Sequence, residues 1–309
     1  MTKPQIQQIG EQYSKDDQVD PSGFLRKARW HQSKFRAEVL NLPYNTYGNY
    51  LTKKDSESGF NFYNGFGIFE AVKSRYKKYN KPLYSNMLRS EHIPLNFFIP
   101  FKNNLEYCKN VFNELFAKNI QTIDQIEIEY APKPKQKYLN DSTSFDAYIE
   151  YTKENSTKGI IGIEVKYTEK EYRITKDSSQ WKAVKDPSSL YYTVSERSKL
   201  YRPEAFKLLT TDNLRQIWRN HILGESILQV DGDKFNSFSS LTFFPQANAH
   251  FIKACKEYMG TLVENRSNFV PITYEYFFHA CQKHCPNKEY LGWLNYLIAR
   301  YIIVDESSN

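Results

Sequence analysis

Apolar residues recur at two different spacings along the chain, and the change in spacing predicts the order of the elements. In residues 60–82 and 103–119 they lie three and four positions apart, which predicts two helices. Three strand-like segments follow: IDQIEIEYAP, SFDAYIEY and GIIGIEVKYTE. TDNLRQIWRNHILGESIL then predicts a helix capped by Asp212, and SFSSLTFFP a further strand. The sequence therefore predicts an α/β core in the order helix, three strands, helix, strand, with an antiparallel hairpin inside it.

The flanking segments predict additions to this core. About 35 polar residues begin the chain, and SEHIPLNFFIPF is apolar but has no clear period. Residues 172–205 are polar and poorly periodic, so we expect an insertion that folds partly over the site. The segment from Ile272 onward is amphipathic and helical in pattern. We expect one domain over residues 1–309, with the core at about 60–245 and peripheral additions at 1–59 and 246–309.

Two charged residues near the end of the third strand raise the question of function. Strand side chains alternate between faces, so Glu164 and Lys166 point to one face and the Ile and Val residues to the other. The register that keeps the apolar faces of this strand and the preceding one together places Phe145 opposite Val165, Ala147 opposite Ile163 and Ile149 opposite Ile161. The same register places Asp146 opposite Glu164.

Two directly opposed carboxylates are destabilising unless something compensates their charge. A divalent cation with hard oxygen ligands would do so, and Mg²⁺ prefers one or two carboxylates with several waters. Lys166, on the same face, could hold a nucleophile or neutralise developing negative charge. The alternative is that Glu164 and Lys166 are ordinary residues on the solvated face of an antiparallel sheet.

Composition and charge narrow the classes of protein. The 309 residues are 40% hydrophobic and 25% charged, with a net charge of +7 that fits a polyanionic partner. No apolar run is long enough to span a membrane and no secretory signal is visible, so we expect a cytoplasmic protein. HACQKHC would suggest zinc, but no second ligand pair accompanies it, and helix-packing cysteines explain it. No Walker A, GxGxxG or GxSxG pattern is present.

Asp146 in SFDAYIEY, followed by Glu164-Val165-Lys166, resembles the PD-(D/E)xK nuclease superfamily. The chain is similar, more narrowly, to a bacterial family of restriction endonuclease-like proteins in NMLRSEHIPLNFFIPF, in these two strands and in LRQIWRNHIL. The resemblance implies a restriction endonuclease-like core, with a mixed central sheet flanked by helices. Phe145 stands where the superfamily motif has Pro, and Asn220 replaces the Tyr of the RecB-like QxxxY pattern, which argues against a RecB-type exonuclease.

The resemblance also implies roles for individual residues. Asp146 and Glu164 would bind Mg²⁺, for which Mn²⁺ could substitute, and Lys166 would assist the attacking water. Glu70, on the preceding helix, and Gln216, on the following one, match the positions that complete the site in the superfamily.

Other charged residues can be interpreted either as ordinary structural residues or as functional ones. The basic run that contains Lys73 and Lys77, and Arg219 on the polar face of its helix, could bind nucleic acid or face solvent. We expect Glu127, Glu129 and Glu150 to be outward-facing strand residues, and His221 a core histidine.

The expected activity is Mg²⁺-dependent hydrolysis of DNA by an endonuclease, with a role in restriction or defence. Two alternatives stay open: a catalytically silent DNA-binding or scaffolding module of the same fold, and a nuclease for RNA or branched DNA. DNA is the expected partner, together with a second copy of the chain in a homodimer.

Overall fold

One five-stranded mixed sheet forms the centre of the molecule in the computed structural model, which describes residues 13–20, 22–116, 119–169, 174–263 and 268–303. The strands lie in the spatial order β1-β2-β3-β4-β5. They span β1 Ile120–Tyr130, β2 Phe145–Lys153, β3 Lys158–Val165, β4 Ser237–Phe244 and β5 Phe269–Thr273. β1, β2 and β3 pair antiparallel, whereas β3, β4 and β5 pair parallel.

Helices precede, interrupt and follow this sheet. Before β1 come α1 Tyr13–Val19, α2 Phe24–Lys34, α3 Lys53–Glu57, α4 Ile68–Arg75, α5 Lys81–Ser85, α6 Ile93–Lys102 and α7 Leu105–Phe116, with a π-helical turn at Phe35–Val39. A 3₁₀ turn, Lys135–Lys137, lies between β1 and β2. Between β3 and β4 lie α8 Ser179–Lys185, α9 Leu190–Ser198, α10 Phe206–Leu209 and α11 Arg215–Val230. The last helices are α12 Ala249–Gly260, α13 Tyr274–Lys283 and α14 Lys288–Tyr301.

The predicted fold class is confirmed: a helix, three strands, a helix and a strand follow one another, in α7, β1 to β3, α11 and β4. Two details were wrong. The chain has a fifth strand, β5, whose last two residues fall in the segment predicted as helical from Ile272 onward; Pro271 within it obscured the strand pattern. Asp212 does not cap α11, because the helix begins at Arg215 after Leu214, and Asp212 forms an ion pair with Arg215.

The β2–β3 register follows the apolar faces as predicted. Ala147 pairs with Ile163 and Ile149 with Ile161. Beyond Ala147 the paired ladder ends, so the predicted pairing of Phe145 with Val165 is not observed. Phe145 packs on the other face of the sheet, because Gly162 leaves room there for its ring: a Cβ at Gly162 would lie 2.3 Å from Phe145 Cε1.

Each face of the sheet carries its own hydrophobic cluster. One contains buried residues of α6, α7, α13 and α14, and the other contains residues of α9, α11 and α12. Both ends of the chain contribute to the first cluster: Phe24 and Ala28 of α2, and Trp293 and Leu297 of α14, are buried there. The segments expected as peripheral additions therefore supply part of the main core.

Helix α11 approaches the sheet closely because Gly224 has no side chain. A Cβ at this position would lie 2.0 Å from the Phe238 ring on β4. Most of α11 is buried, and Trp218 donates from Nε1 to Ser195 Oγ of α9 at 2.9 Å. The helix is thus held between the sheet and α9, with its first turns near the end of β3.

His221 of α11 is a fully buried core histidine, as the sequence suggested. Its Nδ1 lies 2.8 Å from Tyr258 Oη, and its Nε2 contacts Asn268 Oδ1. Burial lowers the pKa of His221 to about 4, against the smaller opposing effect of the Asn268 hydrogen bond. In the unfolded chain the same imidazole has an ordinary pKa near 6.5.

We therefore predict that His221 makes stability fall as pH falls from about 6.5 to about 4. The unfolded histidine binds a proton in this window and the folded one does not, so the contribution lost is roughly 3 kcal/mol. Urea unfolding at pH 7 and pH 4 should show a smaller loss in His221→Gln than in wild type. His279→Gln, at an exposed position of α13, serves as the control. An unchanged pH dependence in His221→Gln would contradict the prediction.

Candidate functional site

Three carboxylate residues occupy neighbouring positions on β1, β2 and β3. Pairing of Ile128 with Ala147 on β1 and β2 places Glu129 beside Asp146. On the other side of Asp146, the β2–β3 register continued by one residue leads to Glu164. We call Glu129, Asp146 and Glu164 the acidic row.

Asp146 lies where the β2–β3 ladder ends. Its Oδ2 accepts a hydrogen bond from the Val165 backbone N–H at 2.6 Å, so the carboxylate replaces a ladder carbonyl. Burial, followed by the negative charges of Glu164 and Glu129, raises the pKa of Asp146 well above its ordinary value. The opposing effects of Lys166 and of the Val165 hydrogen bond are smaller. Asp146 therefore lies in a surplus of negative charge.

The buried carboxylate of Glu164 is contacted by three side chains. Its side chain is almost fully buried, with 5% of the residue exposed. Oε1 contacts Lys166 Nζ at 2.5 Å and accepts a hydrogen bond from Gln216 Nε2 at 2.6 Å. Asn220 Nδ2 donates to the other oxygen, Oε2. Gln216 and Asn220 lie four residues apart on α11, so one helix face fixes the carboxylate plane.

Lys166 is a buried cation, 6% exposed, directly after β3. Its backbone N–H donates to Phe243 O at 2.8 Å, and its carbonyl accepts from Tyr274 Oη at 2.7 Å. Burial lowers the pKa of the ammonium, but the charges of Glu164 and Asp146 outweigh burial and raise it overall. Lys166 therefore stays protonated.

A fourth carboxylate, Glu91, comes from the turn before α6. Glu169 positions this turn. Its carboxylate accepts hydrogen bonds from the backbone N–H groups of Ser90 and Tyr167, each at 2.9 Å. Burial raises the pKa of Glu91, but the bond from Arg89 and the charges of Arg89 and Lys166 lower it overall. The Glu169 bonds thus hold the turn that carries Glu91 beside the segment that carries Lys166.

Glu129 is not the ordinary outward strand residue expected from the sequence. Burial, followed by the charges of Glu164 and Glu91, raises its pKa against the opposing charge of Arg75. Arg75 Nη2 also donates to the Glu129 carbonyl at 2.8 Å. The backbone of Glu129 is left-handed, with φ of 55°, so the strand is distorted where it joins the acidic row.

The structure brings Asp146, Glu164, Lys166 and Gln216 together, but not every predicted residue. Glu70 has a side chain that is 72% exposed, and it forms an ion pair with Lys73 at 3.9 Å rather than with the acidic row. Lys73 and Lys77 are exposed, in keeping with either interpretation of the basic run.

Arg219 does not face a nucleic-acid surface, which corrects the binding role considered for it. It is 4% exposed, and its Nη2 lies 3.0 Å from Asp141 Oδ2 in the β1–β2 connection. Nε donates to Tyr191 Oη of α9 at 2.9 Å. Arg219 therefore ties that connection to the helices over the sheet.

The donor set fits a divalent cation of the Mg²⁺ type. Asp146 and Glu164 provide hard oxygen ligands, and Oδ1 of Asp146 accepts no hydrogen bond within the described part of the chain. The raised pKa of Asp146 reflects negative charge that a cation would neutralise. Across the described ranges, no three His, Cys, Asp or Glu side chains are grouped to hold a metal by themselves. A set of two carboxylates suits an ion that keeps several waters.

The mixed α/β sheet brings Asp146 of β2 and Glu164 of β3 together with Lys166, which directly follows β3. The chain belongs to the PD-(D/E)XK nuclease superfamily, whose family model matches residues 15–303. Neither a search of curated proteins nor a search of solved structures found a match. Within the described residues, no helix is both long and apolar enough to cross a membrane.

Proposed function

We propose that the protein is a Mg²⁺-dependent endonuclease that hydrolyses DNA, with a role in restriction or defence. The observation that carries the proposal is the ion pair of Lys166 with Glu164 beside Asp146, a carboxyl group whose pKa is raised by its neighbours. Family membership supports a nuclease. The net charge of +7 favours a polyanionic substrate.

Asp146 and Glu164 are the residues that would hold the cation. A bound divalent cation would polarise the scissile phosphate and lower the pKa of the attacking water. Gln216 and Asn220 keep the Glu164 carboxylate in one orientation through their amide N–H groups. Such support from outside the ligand set typically sets metal affinity.

Lys166 orients the water and stabilises negative charge. Of the three N–H donors of its ammonium, one serves Glu164, which leaves others for a water or a phosphate oxygen. Hydrogen bonds with Phe243 and Tyr274 hold the backbone of Lys166, so the position from which its side chain extends is fixed. A fixed cation of this kind stabilises a transition state without reorganisation.

A basic, tyrosine-containing surface adjoins this centre. Lys73, Lys77 and Tyr76 line a shallow cavity of about 180 Å³. Arg75, directly before Tyr76, donates from Nη2 to the Glu129 carbonyl at 2.8 Å, so this surface adjoins the acidic row. We assign Lys73 and Lys77 to the phosphate backbone on one side of the cut.

Substitution of the central residues tests the proposed activity. Glu164→Gln and Lys166→Met should each lower Mg²⁺-dependent cleavage of plasmid and linear DNA by about 10²-fold or more, because each removes a charge at the reacting phosphate. Chelation of the metal should abolish cleavage in wild type. Initial rates at saturating Mg²⁺, with circular dichroism to confirm folding, provide the measurement.

Glu127→Gln is the matched control. Glu127 lies on β1 near the same row, but its side chain is 41% exposed and pairs with Lys102 at 3.9 Å. Its rate should stay within twofold of wild type. Full activity in both Glu164→Gln and Lys166→Met would refute the mechanism. If wild type binds DNA in a salt-sensitive manner but does not cleave it, the catalytically silent binding module is favoured. If it cleaves only RNA or branched DNA, that nucleic acid replaces DNA as the proposed substrate.

Glu91 and Glu70, which both lie in the helical region before β1, allow a paired comparison. Glu91→Gln should lower the cleavage rate or the Mg²⁺ affinity by about 10-fold, because it removes a negative charge that pairs with Arg89 on the turn beside the Lys166 segment. Glu70→Gln should have little effect, because Glu70 is exposed and pairs with Lys73. Cleavage measured over a Mg²⁺ titration distinguishes the two variants. A larger loss in Glu70→Gln would contradict this assignment.

A further inference from the structure

A second, larger cavity lies beside Glu91 and has no role in the mechanism above. Tyr47, Tyr50, Lys81, Asn86 and Arg89 line it, and its volume is about 400 Å³. We call it the tyrosine pocket. Pockets that bind small organic groups typically have volumes of about 300–1,000 Å³. The tyrosine pocket is thus large enough for one nucleotide and too small for a duplex.

Arg89 connects the tyrosine pocket to the acidic centre. Its Nε lies 3.0 Å and 2.9 Å from the two carboxylate oxygens of Glu91. The turn that carries Arg89 and Glu91 is itself fixed beside the Lys166 segment, because the backbone N–H groups of Ser90 and Tyr167 both donate to the Glu169 carboxylate. Nη1 of Arg89 donates no hydrogen bond within the described ranges, so this edge of the guanidinium remains for a ligand. A group in the pocket would therefore lie next to a phosphate held at the acidic row.

The lining combines the two chemistries that bind an unpaired nucleotide. Tyr47 and Tyr50 provide aromatic faces, with ring centroids 5.9 Å apart and planes inclined by 56°. Lys81 and Arg89 provide positive charge for phosphate. Aromatic stacking on bases requires an exposed base face, which bases inside a duplex do not have.

Partly buried polar contacts form the walls of the tyrosine pocket. Asn86 Nδ2 donates to Tyr50 Oη at 3.1 Å, and Asn49 Nδ2 donates to Asn86 Oδ1 at 2.9 Å. Behind them Arg29 contacts Asn49 and forms a buried ion pair with Asp16 of α1. This network fixes the loop that carries Tyr47 and Tyr50 against the turn after α5, so the fold itself shapes the pocket.

We propose that the tyrosine pocket takes one unpaired nucleotide of the substrate strand, with its base against Tyr47 and Tyr50 and a phosphate near Lys81 and Arg89. The substrate would then be single-stranded DNA, or DNA with an unpaired base beside the cut. This inference rests on the proposed nuclease function, because the strand must pass the acidic row.

Binding without metal tests the pocket separately from cleavage. Fluorescence anisotropy of the full chain in EDTA should be measured with a labelled oligothymidylate and with a blunt hairpin duplex of equal length. Tyr47→Ala should weaken single-strand binding about tenfold, as expected for loss of one stacked base, and change duplex binding less than twofold. Tyr47→Phe should bind like wild type, since the ring remains.

Tyr276→Ala is the control, because Tyr276 is a 43% exposed tyrosine on α13. Equal weakening of both ligands by Tyr47→Ala, or of neither, would overturn the proposal. So would competition by thymidine monophosphate with an affinity equal to that of the strand, which would assign the pocket to a free nucleotide.

The same proteins should then be assayed for cleavage with Mg²⁺. A wild type that binds the strand through Tyr47 but cuts no DNA would refute the proposed nuclease function and support the pocket. A wild type that cuts DNA, with Tyr47→Ala binding normally, would refute the pocket alone.

Discussion

Repulsion between carboxylates on adjacent strands is the constraint on which the site depends. Asp146 lies between Glu129 and Glu164 at the edge where the β2–β3 ladder ends. Like charges opposed across strands are unfavourable, and burial strengthens the repulsion. Lys166 offsets part of it through its contact with Glu164, yet the pKa of Asp146 remains raised. The row is therefore a place where a cation gains free energy by binding.

The surrounding fold supplies donors and rigidity to this row. Gln216 and Asn220 reach Glu164 because α11 packs closely on the sheet at Gly224. Glu169 joins the segment after β3 to the turn before α6 through two backbone hydrogen bonds. With buried clusters on both faces, the strands cannot relax by moving apart. The fold thus keeps these like charges close together despite their unfavourable electrostatic free energy, an arrangement that is common at functional sites.

The sequence predicted the part of the site that depends on the pattern of neighbouring residues. Alternation of apolar residues specified the hairpin register, and with it the approach of Asp146 to Glu164. It missed Glu91, because the apolar segment that follows it, punctuated by proline, has no readable period. Glu129 was missed because its position depends on the β1–β2 register, across a long connection and two irregularities in pairing. The same connection carries Asp141, so the buried partner of Arg219 was also beyond local rules.

Diffraction from crystals soaked in Mn²⁺, recorded at the manganese absorption edge, tests the central claim most directly. The account predicts an anomalous peak bound by oxygens of both Asp146 and Glu164, at roughly 2.0–2.3 Å, with water completing the coordination. The Asp146→Asn and Glu164→Gln variants should lose the peak. A wild type with no peak at this position, or with the ion held by other residues, would contradict the account.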